Sequence, residues 1–253
     1  MVASVRKVND DKQFLLDGVA FLGRTLDEYV DMFNFRPDDW IGYRVLDCAS
    51  GPASFNAEAN EMGIHAVSCD PLYMFNLQEL LPKAEQDLRL CSIKSGMQKD
   101  LFDAYSADSD KQTRWVAEKQ RALFTFSRDY SRGKADGRYV VGSLPHLPFA
   151  NETFDLVLSG HFLFTYASKS SGGMLNEERF PLSFHLEAIN EMLRVSRNEV
   201  RIYPLKGPNS KDNPLLSAVL EYLKSQGVKA ELEIVGYKDI AGANLMLRIR
   251  KNH

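Results

Sequence analysis

Cysteine is scarce in this chain, three residues in 253. Cys48, Cys69 and Cys91 are odd in number and share no CxxC spacing. Neither a disulfide framework nor a zinc site is indicated, and no metal is expected. Free buried thiols acting as small hydrophobes, in a reducing cytoplasm, are the simpler expectation. Long apolar runs are missing too. No stretch approaches eighteen consecutive apolar residues, so no transmembrane helix is expected. The opening MVASVRKVNDDKQF carries charge where a signal peptide needs an apolar core, which favours a cytoplasmic location. The sequence also lacks internal repeats, low-complexity tracts, a P-loop and a nucleophile elbow. A net charge of −3 gives no global basic footprint for nucleic acid, although it leaves room for a local basic patch.

What is present reads as one α/β unit. Apolar content of 44% and charged content of 26% are ordinary for a globular chain, and the length suits a single domain over 1–253. RTLDEYVDMFNF (24–35) has the spacing of a short amphipathic helix, with Thr25 as its cap and Glu28 completing a capping box. YRVLDCA is a buried strand. ASFNAEANEM is a helix stopped by Gly63, and HAVSC a second strand ending at Asp70-Pro71. Strand, helix and strand in about thirty residues make a right-handed βαβ unit and a parallel sheet.

Further strands are expected at RYVVGS (138–143), FDLVLSG (154–160) and EVRIYPL (199–205). LSFHLEAINEMLRV and NPLLSAVLEYLKSQG are helices, and KAELEIVGY and ANLMLRIRK close the chain as a hairpin around KDIAG. The expected fold is a doubly wound sheet with an antiparallel hairpin at one edge. The segment 71–137 is long for one crossover, which needs roughly 25 residues. It carries two helical patterns, LQELLPKAEQDLRL and KQTRWVAEKQRALFTFSRDY, and is expected to form a helical cap inserted between strands 2 and 3. From 94 to 138 it holds ten Lys or Arg against seven Asp or Glu, a slight positive excess that a solvated helix face explains as well as an anionic acceptor does.

Ligands of doubly wound sheets sit beyond the carboxyl ends of the strands, at the switch point. The turn after the first strand must let backbone approach the ligand, and Ala49, Ser50, Gly51 and Ala53 are all small. The same small residues also suit plain helix-on-sheet packing. A carboxylate at the end of the second strand can accept both hydroxyls of a ribose, and Asp70 stands there, 23 residues after Asp47 where such units place it ~20 on. A nicotinamide site needs GxGxxG, of which only Gly51 is available.

At VLDCASGPASF, VSCDPLY, VVGSLPHLPFANETFDLVLS and EAINEMLRVSRNEVRIYPL the chain resembles the class I S-adenosylmethionine-dependent methyltransferases, in a bacterial-type form, over about 40–250 and without a clear counterpart for 71–137. The resemblance implies a Rossmann-like, seven-stranded fold and binding of S-adenosylmethionine, with S-adenosylhomocysteine as product. It departs from the family in two places. The GxGxG turn is Ala49-x-Gly51-x-Ala53, and Ser143 stands where an acid usually meets the adenine amino group.

Carried over residue by residue, the resemblance implies that Asp47 orders the turn and reaches the methionine amino group through water. Ala49, Ser50 and Gly51 give backbone contact to the methionine part. Asp70 takes the ribose, with Pro71 beside it, and Leu72 lies along the adenine. Gly142, Ser143 and Leu144 bound the adenine ring. Ser159, Gly160 and His161 lie beside the sulfonium, and Arg24 pairs with the methionine carboxylate, although a solvated helix start explains Arg24 as simply. His161 is the candidate catalytic base, with a packing or substrate-binding role as the alternative; Tyr73 and Tyr166 are candidate substrate contacts. The absence of an Asn-Pro-Pro-Tyr element after FDLVLS argues against enzymes that use it to methylate exocyclic or amide nitrogens. The implied activity is methyl transfer to a small-molecule acceptor, with no membrane or nucleic-acid partner expected. A methyltransferase acting on RNA or protein, or a non-catalytic S-adenosylmethionine-binding protein, are the alternatives. The acceptor and the oligomeric state are not legible.

Overall fold

Adjacent residues on a strand point to opposite faces, and in the first strand both faces are apolar. The computed structural model describes residues 13–102, 109–209 and 214–251. Its strands are β1 (Arg44–Cys48), β2 (His65–Cys69), β3 (Tyr139–Val140), β4 (Phe154–Gly160), β5 (Ser196–Tyr203), β6 (Lys229–Ile234) and β7 (Leu245–Arg250). Its helices are α1 (Leu26–Phe33), α2 (Phe55–Glu61), α3 (Leu77–Met97), α4 (Ser109–Ala135), α5 (Leu182–Val195) and α6 (Pro214–Ser225). The strands form one sheet in the order β3-β2-β1-β4-β5-β7-β6. Strands β1 to β5 pair in parallel, and β7 runs antiparallel to both its neighbours. This is the Rossmann-like doubly wound sheet with a C-terminal antiparallel hairpin, and with a helical insertion between strands 2 and 3, that the sequence led us to expect.

Two cores follow from the alternation. Val45, Leu156 and Leu158 face Tyr29, Met32 and Phe33 of α1 and Phe55 and Ala59 of α2. Leu46, Val157 and Val200 face Ile189 and Met192 of α5 and Val219 and Leu223 of α6. Each such side chain contributes about 1.5–3 kcal/mol by leaving water. Since β1 sits between β2 and β4, the crossovers diverge there and leave a cleft at the carboxyl ends of β1 and β4. The three cysteines are buried and unbridged. Among the described residues, no helix is long and apolar enough to cross a membrane.

The third strand is shorter than RYVVGS predicts. Gly142 packs against Cys69 and Pro148, where a Cβ would lie 2.8 and 2.6 Å from their atoms, and the chain turns away from the edge there. Strand β5 begins earlier than expected, at Ser196, with a register shift against β4. The insertion folds as α3 packed on α4. The last turns of α4 lie on α2 and β3, so part of the insertion serves as the ordinary crossover helix. Phe126 and Tyr130 of α4 join Tyr73, Leu80, Ala84 and Tyr139 in an aromatic core.

Two further elements reach across the cleft. Residues 13–24 form an extended strap: Leu16 bridges Leu175, Phe14 exchanges hydrogen bonds with the Asn209 side chain, and Gly23 lies so close to the turn that a Cβ there would sit 2.0 Å from the Pro52 oxygen. The loop between β6 and β7 folds in from the other side, its Tyr237 ring against His161. Glu28 ties strap, insertion and loop together. It completes the capping box of α1 by accepting from the Thr25 amide at 2.9 Å. Its other oxygen accepts from the buried Lys119 ammonium of α4 and from the Tyr237 hydroxyl at 2.6 Å. Burial opposes ionisation of Glu28, but Lys119 and Arg24 outweigh it and hold the carboxyl down at about 2.

Breaking a buried ion pair from one side leaves the other charge uncompensated, at a cost of about 3–5 kcal/mol. Glu28→Gln keeps the capping geometry and is expected to destabilise the protein on that scale in urea unfolding. Adding Lys119→Met should recover most of the loss, and a double variant no more stable than Glu28→Gln would refute the pairing.

Candidate functional site

The turn after β1 is built from beneath. Asp47, the fourth residue of β1, is completely buried and accepts from the Tyr29 hydroxyl at 2.8 Å and the Ser50 hydroxyl at 2.5 Å. Gly51 takes φ +57°, a left-handed conformation that glycine adopts without a Cβ penalty. The Gly51 amide donates to Asp70 at 2.9 Å, and its carbonyl accepts from the Tyr73 hydroxyl at 2.6 Å. Asp70 also accepts from the Leu72 amide at 2.9 Å, so its two oxygens each hold one protein donor. A carboxylate has about four acceptor positions, so roughly two remain for a ligand. Burial is the main cause that raises Asp47 and Asp70, each to about 6. Hydrogen bonds from Ser50 and Tyr29, and from Leu72 and Gly51, oppose the rise.

Two lobes of a cavity meet at Asp70. One, with about 680 Å³ of unfilled space including its mouth, is lined by Arg24, Ala49, Ser50, Gly51, His161 and Tyr166 among others. The second, with about 960 Å³, is lined by Pro71, Leu72, Ser143 and Leu144, with Lys83 and Phe180 opposite. Val19, Ala20, Ala49, Asp70 and Phe162 line both. Thus, of the residues singled out in the sequence, Arg24, Ala49, Ser50, Gly51, Asp70, Pro71, Leu72, Ser143, Leu144, His161 and Tyr166 line one or other lobe.

Other expected residues stand behind the wall. Asp47 lies under the turn, and Gly142 against Cys69. A Cβ on Gly160 would meet the Phe33 ring at 3.5 Å, and the buried Ser159 hydroxyl has no hydrogen-bond partner. Tyr73, expected as a substrate contact, is placed elsewhere. The turn of 3-10 helix at 71–74 swings it inward, fully buried against Phe126, Tyr130 and Tyr139, where it supports Gly51 from below. Tyr166 does line the first lobe, its hydroxyl accepting from the Ala20 amide at 3.2 Å.

Polar groups of the first lobe that the sequence did not suggest come from distant segments. Asp239, in the loop after β6, sits 3.2 Å from Arg24 and 3.7 Å from Nε2 of His161. Its second oxygen, Nε of Arg24, both ring nitrogens of His161 and the Thr165 hydroxyl are buried without a hydrogen-bond partner in the protein. Burial, with Arg24 and Lys119 nearby, holds His161 well below its usual value, so it is a neutral imidazole. Trp115 of α4 and Cys91 and Ser95 of α3 complete the wall with Phe14, Phe102 and Ile240. One signal for Lys119 was available: it shares a helical stripe with Trp115, Ala122 and Phe126, where a charge is out of place. Among the described residues, no group of three His, Cys, Asp or Glu is placed to hold a metal ion.

No family model matches the chain. It is 32% identical over 238 residues to the "Uncharacterized protein MJ0045" of Methanocaldococcus jannaschii, covering 93% of this chain and 98% of that protein. Among solved structures it is similar to the magnesium protoporphyrin IX methyltransferase of Synechocystis PCC 6803 with bound SAM, at 10% identity and a TM-score of 0.44, over 85% of this chain and 73% of that one. A SAM dependent methyltransferase from Aquifex aeolicus matches at 12% identity and a TM-score of 0.37, over 88% and 91%. The PH0226 protein of Pyrococcus horikoshii OT3 matches at 14% and 0.41, over 83% and 82%.

The raised Asp47 carboxyl has a consequence for stability. An unfolded Asp ionises near 3.8, whereas folded Asp47 keeps its proton to about 6. Between these values only the unfolded state loses the proton, so the stabilising contribution present at low pH is lost as pH rises through about 6. The displacement corresponds to about 3 kcal/mol. Wild type should therefore lose stability relative to Asp47→Asn on that scale between pH 4 and pH 7.5, as urea unfolding of both at each pH would measure; a difference independent of pH would refute it.

Proposed function

We propose that this chain, which belongs to one family with the uncharacterized protein MJ0045 of Methanocaldococcus jannaschii, binds S-adenosylmethionine and transfers its methyl group to a small-molecule acceptor. The observation that carries this reading is the pair of lobes joined at Asp70, with the small-residue turn on one side and Leu72, Ser143 and Leu144 on the other. A nucleoside with a charged tail has this layout: a flat apolar base, a diol and a polar extension. The residues present fit it. Leu72 and Leu144 offer apolar faces to the base, and the Ser143 hydroxyl offers one hydrogen bond to its edge. Asp70 has acceptor capacity left for vicinal hydroxyls. Ala49 and Gly51 let the backbone approach the tail, and the unpartnered Nε of Arg24 suits a carboxylate.

When bound, S-adenosylmethionine supplies an electrophilic methyl on a sulfonium, and the protein's part is alignment. His161 directly follows β4, which ends at Gly160, and lines the first lobe. With Arg24 and Lys119 close by, an imidazolium there would be a third cation in a buried cluster. A neutral ring that accepts a hydrogen bond from the acceptor, and orients its nucleophile, suits this environment better than a base that keeps the proton. The walls of the first lobe come from the strap, α3, α4 and the loops after β4 and β6. A lobe walled on so many sides favours a small acceptor over RNA or protein and gives α3 and α4 the role of a cap.

Calorimetric titration tests the reading. Wild type should bind S-adenosylmethionine saturably, and Asp70→Ala should weaken it by about tenfold or more, the scale of lost hydrogen bonds to a charged group. No binding by folded wild type at millimolar ligand would overturn it. Formation of S-adenosylhomocysteine on adding the dialysable fraction of a cell extract, and not the retained fraction, separates a small acceptor from a macromolecule. Binding without turnover in either would leave a cofactor-binding protein.

A further inference from the structure

Resting on that cofactor reading, in which Arg24 takes the carboxylate, we infer that Asp239, a residue of the C-terminal hairpin loop, takes the ammonium of the cofactor's amino-acid end. Asp239 and Arg24 each carry a buried polar atom with no hydrogen-bond partner in the protein. Asp239 is 6% exposed, and one of its oxygens is shared by Arg24 at 3.2 Å and His161 at 3.7 Å. Its other oxygen is buried with no donor. Arg24, its side chain 11% exposed, gives Nη2 to Asp239 while its Nε has no acceptor. Both residues line the lobe that holds the turn. A buried polar group without a partner is costly, more so when charged, so the open atoms of these two residues need an explanation.

Charge and valence select the kind of group that fits this pair. The Arg24–Asp239 pair is neutral overall, and one donor and one acceptor are open on it. An anion alone would satisfy Arg24 but meet the bare Asp239 oxygen, and a cation alone would do the reverse. A group carrying both an ammonium and a carboxylate satisfies both, adds no net charge and leaves the existing ion pair unbroken. Free His161, neutral in this setting, is compatible with either half. The position agrees. Leu22 backbone atoms lie 3.5–3.8 Å from where a Cβ of Gly51 would be, so the strap lays Arg24 next to the turn. The carboxyl end of β6 brings Asp239 to the same edge, because β6 pairs with β7 and so runs parallel to β5. Asp239 is then a binding residue that decides between ligands with and without an amino-acid end.

Three ligands and one variant test this by calorimetry: S-adenosylhomocysteine, its decarboxylated form, which keeps only the ammonium, and methylthioadenosine, which lacks both charges. Wild type should bind the decarboxylated form about tenfold more tightly than methylthioadenosine, and S-adenosylhomocysteine more tightly still. Asp239→Asn should weaken both ammonium-bearing ligands by about tenfold and leave methylthioadenosine unchanged. The inference is overturned if Asp239→Asn binds all three as wild type does, or weakens all three alike. It is equally overturned if wild type binds the decarboxylated form no better than methylthioadenosine, a comparison that needs no variant to fold. Methylthioadenosine binding with no gain from the charged ends would sink the inference and keep the cofactor reading. Failure of all three ligands would sink both.

Discussion

Glu28 is the point on which the site's geometry depends. One oxygen closes the first turn of α1, and the other receives Lys119 from α4 and Tyr237 from the hairpin loop. A carboxylate has acceptor sites enough to hold three segments at once, and each segment brings one wall of the first lobe: the strap through Arg24, the insertion through Trp115, the hairpin loop through Asp239. Such an ion pair is weak evidence for stability, because desolvation offsets much of the attraction. Its value lies in specificity: an apolar contact tolerates sliding, whereas Lys119 buried beside one carboxylate does not.

The second constraint is the crowding of carboxylates under the turn. Asp47 and Asp70 flank the same few residues, both raised by burial to about 6. Neither is needed for the apolar packing of the sheet. Their hydrogen bonds instead fix Ser50, Gly51 and Leu72, so the loop's shape is maintained by carboxylates held in burial that opposes their charge. Binding sites commonly carry such local cost in return for a preformed surface.

Much of this was legible from the chain. Short apolar runs bounded by turn residues gave β1, β2 and β4, and the helical spacing of LSFHLEAINEMLRV gave α5 to the residue. The Thr25–Glu28 box was visible because capping is local. Asp70 and the small turn were visible because the βαβ unit fixes their separation. Asp239 left no signal, since KDIAG reads as an ordinary turn and its partner lies 215 residues away. Glu28 was explained by its cap, which hid its second role. Tyr73 misled through its neighbours: being next to the Asp70 turn suggested the pocket, but the intervening turn of 3-10 helix reversed its direction, and an aromatic cluster formed by residues 126–139 was there to receive it.

The strap has a kinetic meaning as well as a geometric one. Val19 and Ala20 line both lobes, above the junction at Asp70. A molecule filling both lobes would therefore lie beneath the strap at its waist, with its two ends on either side. Such a molecule could leave only by passing this short extended segment, whatever the strength of the single contacts below. A site covered in this way can hold its occupant for long times at modest affinity, because entry is slowed by the same segment as exit.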